Sequence, residues 1–296
     1  MAGAETPGNG TGDGEQIPGP ELEGFTKTRF TFQGDTRTIY RAGSGPGVVV
    51  MHEVPGITPT VADFARRVAA HGFTVAVPHL FGVPGKPPTA GYLARELAYS
   101  CINRDFKTLA RHESSPITVW LRALCRELHA ELGGPGVGAI GMCITGNFAL
   151  ALMLEPALIA PVLSQPSLPV TVSPAHAAAL HVNAAELEAC KRRCRDENLS
   201  VLAMRFTGDI LCPGARFRTL ERELGEAFEG IEIRSGPGSP HGIPLKAHSV
   251  VTEDLVDEEG HPTRVAVERV LRFFRERLKP ADSGDSDASL AGSDGS

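Results

Sequence analysis

The residue types and spacings in this sequence that could support chemistry centre on Cys143. It stands in Gly141-Met-Cys143-Ile-Thr-Gly146, after the apolar run 137–141 and before a helix-forming stretch at Asn147–Leu154. Small residues on both sides of a nucleophile at a strand-to-helix turn permit a strained backbone angle, so the side chain projects at the positive end of the following helix. That placement favours a thiolate, and it points the amide of Ile144 toward an oxyanion. On this motif alone an inert buried cysteine is the plainer reading. Chain order speaks against it. Asp209 directly follows VLAMRFTG (201–208), where a strand should end, and His248 lies in a loop between IEIRS (231–235) and the last helix. The separations, 66 and 39 residues, each leave room for a helix–strand unit or more. Nucleophile, acid and base in this order can perform two-step acyl transfer. His241, in SGPGSPHGIPLKAHS, competes with His248 for the role of base. Glu53 ends the apolar run GVVVMHE (47–53) and enters Val54-Pro55-Gly56. A carboxylate there is costly unless paired or functional, or else it is a strand-end charge in water.

These residues need elements to hold them. Thr26–Phe32 and Thr36–Arg41 flank Gly34-Asp35, a dipeptide suited to a hairpin turn. GVVVMHE and FTVAVP (73–78) read as strands buried on both faces, and Pro59–His71 between them has apolar residues at helical spacing, with Gly72 to stop it. Ile117–Leu132 is a long amphipathic helix, followed by the short strand 137–141. LIAPVLS, VLAMRFTG and IEIRS supply three more strands, separated by helices near 184–197 and 214–228, and Arg264–Leu278 closes the series. Such alternation implies a mostly parallel central sheet with helices on both faces, whose active sites lie at the carboxyl ends of the strands. The stretch 79–115 shows no clear periodicity beyond Leu93–Leu97 and reads as a cap or an irregular loop.

Composition narrows the function classes. Residues 1–22 and 281–296 are too poor in apolar side chains to offset their ordering entropy, so two disordered tails should flank one folded domain at 23–280. A net charge of −6 argues against a nucleic-acid partner. No apolar run approaches the roughly 20 residues that span a bilayer, and the first residues lack a basic and an apolar signal region, so the expected location is cytoplasmic, without a membrane partner. Six cysteines are scattered rather than densely spaced. Cys190 and Cys194 would share a helix face, but no second Cys/His pair matches them, so neither a metal nor another cofactor is expected.

MHEVPGI…ADFARRVAAHGFTVAVPHLFG, GAIGMCITG, FTGD and KAHSVVTE together resemble the dienelactone hydrolase family, over about residues 25–278. The resemblance implies an α/β-hydrolase fold and hydrolysis of a small-molecule ester or lactone by a monomer or small homo-oligomer. It implies Cys143 as nucleophile, His248 as base, Asp209 as its orienter, Glu53 as the group that helps to generate the thiolate, and the amides of Val54 and Ile144 as the oxyanion hole. Two positions depart from the family pattern. Thr145 replaces the usual glycine, which fits a tight turn but narrows the site, and Thr252 stands where dienelactone-cleaving members carry an arginine that holds the substrate carboxylate. Arg104 is the candidate substitute for that arginine. A thiol-dependent acyltransferase and a non-catalytic binding protein are the rival readings on the same scaffold.

Overall fold

The computed structural model describes residues 19–102, 115–168 and 173–279. Residues 1–18, Arg104 and the C-terminal stretch 281–296 lie outside them. Among the described residues, eight strands form one sheet: β1 (Thr26–Phe32), β2 (Asp35–Ala42), β3 (Gly47–Met51), β4 (Thr74–Pro78), β5 (Val137–Met142), β6 (Leu158–Ser164), β7 (Val201–Phe206) and β8 (Phe228–Ile233). Their order is β1-β2-β4-β3-β5-β6-β7-β8, and β2 alone runs against its neighbours. The helices are α1 (Pro59–Ala70), α2 (Ala90–Ile102), α3 (Pro116–Leu132), α4 (Gly146–Leu152), α5 (Pro174–Ala178), α6 (Ala184–Asp196), α7 (Gly214–Leu224) and α8 (Pro262–Leu278).

The apolar runs do what fully buried strands must. Every residue of β3, β4, β5 and β7 is buried. Successive side chains point to opposite faces, so Val48 and Val50 join one core with α1 and α8, while Val49 and Met51 join another with α3, α4, α6 and α7. Strand order reverses at β3, which leads through α1 to β4 on one side and pairs with β5 on the other. Such a switch point leaves a crevice at the strand ends. Met51 is paired with Gly141, so the residues that follow, His52-Glu53 and Met142-Cys143, emerge side by side.

Several boundaries differ from the sequence reading. The hairpin turns at Gln33-Gly34 rather than Gly34-Asp35, because both central residues take positive φ (49° and 82°) and Asp35 already pairs with Phe32. Gly19–Leu22, assigned above to the N-terminal tail, lie against the fold: Tyr40 Oη donates to the Pro20 carbonyl at 2.9 Å, and Leu22 is buried. The stretch 79–115 contains α2, and α5 was not anticipated. No described helix is long and apolar enough to cross a membrane.

Candidate active site

The elbow is built by its two glycines. Cys143 has φ +55°, a conformation costly for a residue with a side chain and seen mostly where the surroundings enforce it. A Cβ at Gly141 would lie 2.1 Å from the Thr145 carbonyl oxygen, and one at Gly146 would lie 2.9 Å from Pro166 Cα. No larger residue fits either place. A single 3-10 turn, Cys143–Thr145, then feeds α4.

Thr145 does not narrow the site. Its side chain is fully buried. Oγ1 accepts from the Met142 amide at 2.9 Å and lies within donating distance of the Met142, Met51 and His52 carbonyls, at 2.9, 3.0 and 3.1 Å. One hydroxyl therefore clips the elbow to the end of β3. His52 braces the same strand end from the other side. Its Nδ1 lies 3.0 Å from the Glu53 carbonyl and its Nε2 accepts from the Leu80 amide, which fixes the neutral tautomer with hydrogen on Nδ1. Burial pushes this imidazole down to about 3.

Asp209 and His248, 39 positions apart in the chain, meet in the structure. His248 Nδ1 lies 2.7 Å from Asp209 Oδ2, and the other carboxylate oxygen accepts from the Leu211 amide at 2.9 Å. Burial alone would push the His248 imidazole down, but the Cys143 sulfur and the Asp209 carboxylate outweigh it and hold its pKa well above the ordinary value. Asp254 shapes the histidine loop by accepting from the His248 and Ser249 amides at 2.8 and 2.9 Å. His241 is exposed and packs edge-on against His261, away from this group.

Glu53 is buried beside them, not solvated. Oε2 accepts from Ser249 Oγ at 2.7 Å and from Gln165 Nε2 at 3.3 Å, and Oε1 accepts from Thr252 Oγ1. Burial pushes its carboxyl up, against the opposing pull of His248 and of the Thr252 and Ser249 hydroxyls. The position of the expected arginine is thus filled by a neutral donor to Glu53. Cys143 has a partner that the sequence reading missed. Ser167 Oγ donates to Sγ at 3.1 Å, and the Ser167 amide donates to the Cys143 carbonyl at 3.0 Å. The signal for Ser167 and Gln165 was their place just beyond β6, at a strand end facing the crevice. The signal for Ser249 was adjacency to His248.

Val54 and Ile144 follow the ends of the neighbouring strands β3 and β5, and Ile144 is part of the elbow turn itself. Cys190 and Cys194 both face the core from α6, and Cys190 Sγ donates to the Leu150 carbonyl at 3.4 Å. Burial raises the thiols of Cys125, Cys190 and Cys212 to about 12.

The model of the dienelactone hydrolase family matches residues 35–277. This chain belongs to that family. Among other members and relatives, a Saccharomyces cerevisiae protein with the provisional name carboxymethylenebutenolidase is 24% identical over 139 residues. The match covers 46% of this chain and 43% of that protein, so the chain matches less than half of its curated relative's length. The crystal structure of a provisionally named dienelactone hydrolase from Klebsiella pneumoniae gives a TM-score of 0.58 at 18% identity, over 85% of this chain and 98% of its own. A dienelactone hydrolase-like promiscuous phosphotriesterase from metagenomic libraries gives 0.54 at 20% identity, over 86% and 98%. At these identities the likeness establishes the α/β-hydrolase fold.

Proposed function

We propose that this dienelactone hydrolase family member hydrolyses a carboxylic ester or lactone through a Cys143–His248–Asp209 triad and an acyl-enzyme. One observation carries the reading. A cysteine is held at positive φ on the elbow after β5, and a histidine further along the chain has its Nδ1 bound to a buried aspartate, with its pKa raised. The Cys143 thiolate attacks the carbonyl carbon, and the negative oxygen rests on the amides of Val54 and Ile144. The C–O bond then breaks, and the His248 imidazolium gives its proton to the departing oxygen. Water, deprotonated by the now neutral His248, adds to the thioester. Collapse of that adduct releases the acid and restores the thiolate. Glu53, when substrate displaces it from its three neutral donors, takes the thiol proton and passes it to His248, which gives the thiolate–imidazolium pair that begins the cycle. Asp209 keeps His248 in the tautomer with hydrogen on Nδ1, leaving Nε2 for the proton transfers.

The test is a panel of aryl esters and lactones with variants and iodoacetamide. Cys143→Ala should abolish turnover and shift the melting temperature by only a few degrees. His248→Ala should lower the rate by orders of magnitude and His241→Ala far less. Glu53→Gln should lower it by roughly a hundredfold, as for a lost acid–base group. Iodoacetamide should label Cys143 ahead of Cys125, Cys190, Cys194 and Cys212, which are buried as high-pKa thiols. Full activity in Cys143→Ala would end the proposal, and acyl transfer to an added amine in preference to water would recast the enzyme as an acyltransferase.

A further inference from the structure

The peptide bond between Glu53 and Val54 is gripped by its carbonyl. That oxygen accepts from the Gly56 amide at 2.8 Å, which closes the turn Glu53–Gly56, and lies 3.0 Å from His52 Nδ1. Among the described residues the N–H of the same peptide, the amide of Val54, meets no acceptor, although Val54 is buried. A trans peptide is planar and sets its C=O and N–H on opposite edges. Two donors on the carbonyl therefore fix the direction of the Val54 N–H before any substrate arrives.

The imidazole is itself placed to donate. The Leu80 amide donates to Nε2 at 3.1 Å, so the ring hydrogen sits on Nδ1. Phe81 packs edge-on against the ring, with 4.5 Å between centroids, and His52 is wholly buried. The His52 carbonyl lies 3.1 Å from Thr145 Oγ1, which ties the residue to the elbow turn that contains Ile144. A line of hydrogen bonds thus runs from the Leu80 amide through the imidazole to the Glu53 carbonyl. Each bond polarises the next, and a carbonyl that accepts makes the N–H of its own peptide a stronger donor. Burial keeps the imidazole neutral near pH 7, so this line does not titrate there.

We propose that His52 is a positioning residue for the oxyanion hole, its Nδ1–H holding the Glu53–Val54 peptide so that the Val54 amide receives the negative oxygen. The inference rests on the ester-hydrolase reading. It concerns attack on a carbonyl and leaves other reactions of the Cys143 sulfur untouched.

Two variants take the ring apart. His52→Asn keeps a nitrogen donor where Nδ1 lies and loses the acceptor for Leu80. His52→Gln offers an oxygen acceptor where Nε2 lies and loses the donor to Glu53. Each is assayed for kcat and KM on 4-nitrophenyl acetate, for its denaturant midpoint, and for alkylation of Cys143 by iodoacetamide. In His52→Gln kcat should fall about tenfold or more with KM little changed, short of the loss of about 100- to 1000-fold when an oxyanion donor is removed outright. In His52→Asn kcat should stay close to wild type even as the midpoint falls. Alkylation should match wild type in both, because there the sulfur displaces iodide at a CH2 group and no oxyanion forms. Wild-type kcat in His52→Gln, or kcat that simply follows the midpoint in both variants, would overturn the positioning role and leave the hydrolase reading standing. Alkylation slowed in step with kcat would overturn it too, since the damage would then lie at the nucleophile. Should one variant fail to fold, the other decides alone by the same outcomes. Turnover by the wild type of neither this ester nor any in the wider panel would overturn both readings.

Discussion

Glu53, proposed above to act on the thiol, shows most clearly how a buried carboxyl burdens the fold. It lies two residues beyond β3, a strand with no polar side chain, and is buried with both carboxylate oxygens accepting hydrogen bonds. Burial raises its pKa above the ordinary 4.5. The linkage follows from that direction. Below the ordinary value the carboxyl is neutral in both folded and unfolded chains and contributes nothing. As pH rises from there, the unfolded chain ionises first, and the folded chain loses stability until pH passes the raised value. Glu53→Gln removes the burden. The variant should melt higher than wild type near neutral pH, by an amount on the order of a few °C, and the gain should shrink toward zero as pH falls through the ordinary carboxylate range. Melting curves of both proteins across that range check it. A difference that does not change with pH would mean that Glu53 is not destabilised by its surroundings. Together with the loss of turnover expected of the same variant, this would place Glu53 among residues kept for activity at the expense of stability.

At the scale of elements, the site depends on how the ends of β3 and β5 are joined. Much of this was legible in the sequence. The apolar runs gave the buried strands, and the two glycines around Cys143 gave the elbow, because a Cβ at either place would strike backbone or the neighbouring proline. Thr145 was not legible, since a hydroxyl two residues after Cys143 reads equally as a site residue or as a clip. Only the meeting of two parallel strands decides between them. The Thr252 hydroxyl was equally silent, because its partner lies 199 positions away. Thr145→Val keeps the shape but leaves the Met142 amide without its acceptor and cuts the ties to the Met51 and His52 carbonyls. A buried donor stripped of its partner costs about 1–3 kcal/mol. The same loss frees the end of β3, and with it Val54, to drift relative to Ile144. Denaturant midpoints should therefore fall by that amount and kcat should fall more than KM changes, whereas Thr145→Ser should keep most of both. Equal stability and kcat in Thr145→Val would show that the strand ends are held without the hydroxyl.

At the scale of the whole molecule, a mostly parallel sheet with helices on both faces was implied by the alternation of segments, whereas the interior polar groups that lock loops to helices were not. Arg216 shows why. On α7 its sequence context, Gly-Ala-Arg-Phe-Arg, reads as one more charged residue on an amphipathic helix, yet the side chain is almost wholly buried. Its guanidinium donates to the Pro166 carbonyl at 2.5 Å, to Ala179 at 2.8 Å and to His176 at 3.4 Å, and lies 3.2 Å from His181 Nε2. Among the described residues no carboxylate forms an ion pair with it. What compensates the buried charge is a fan of carbonyl dipoles, which only a planar, multi-donor group can satisfy. Because Pro166 precedes Ser167, the same fan sets the segment whose hydroxyl touches the Cys143 sulfur. A lysine at this place carries the same charge on a single nitrogen and cannot reach all these acceptors. Arg216→Lys should lower unfolding stability by about 3 kcal/mol, the scale of breaking a buried charged network, and should change the rate of Cys143 alkylation as Ser167 loses its place. A purely local stabilising role would leave the alkylation rate as in wild type while the stability falls. Measuring both on the same preparation therefore tells whether the buried arginine supports only the fold or, through Pro166 and Ser167, the setting of Cys143 as well.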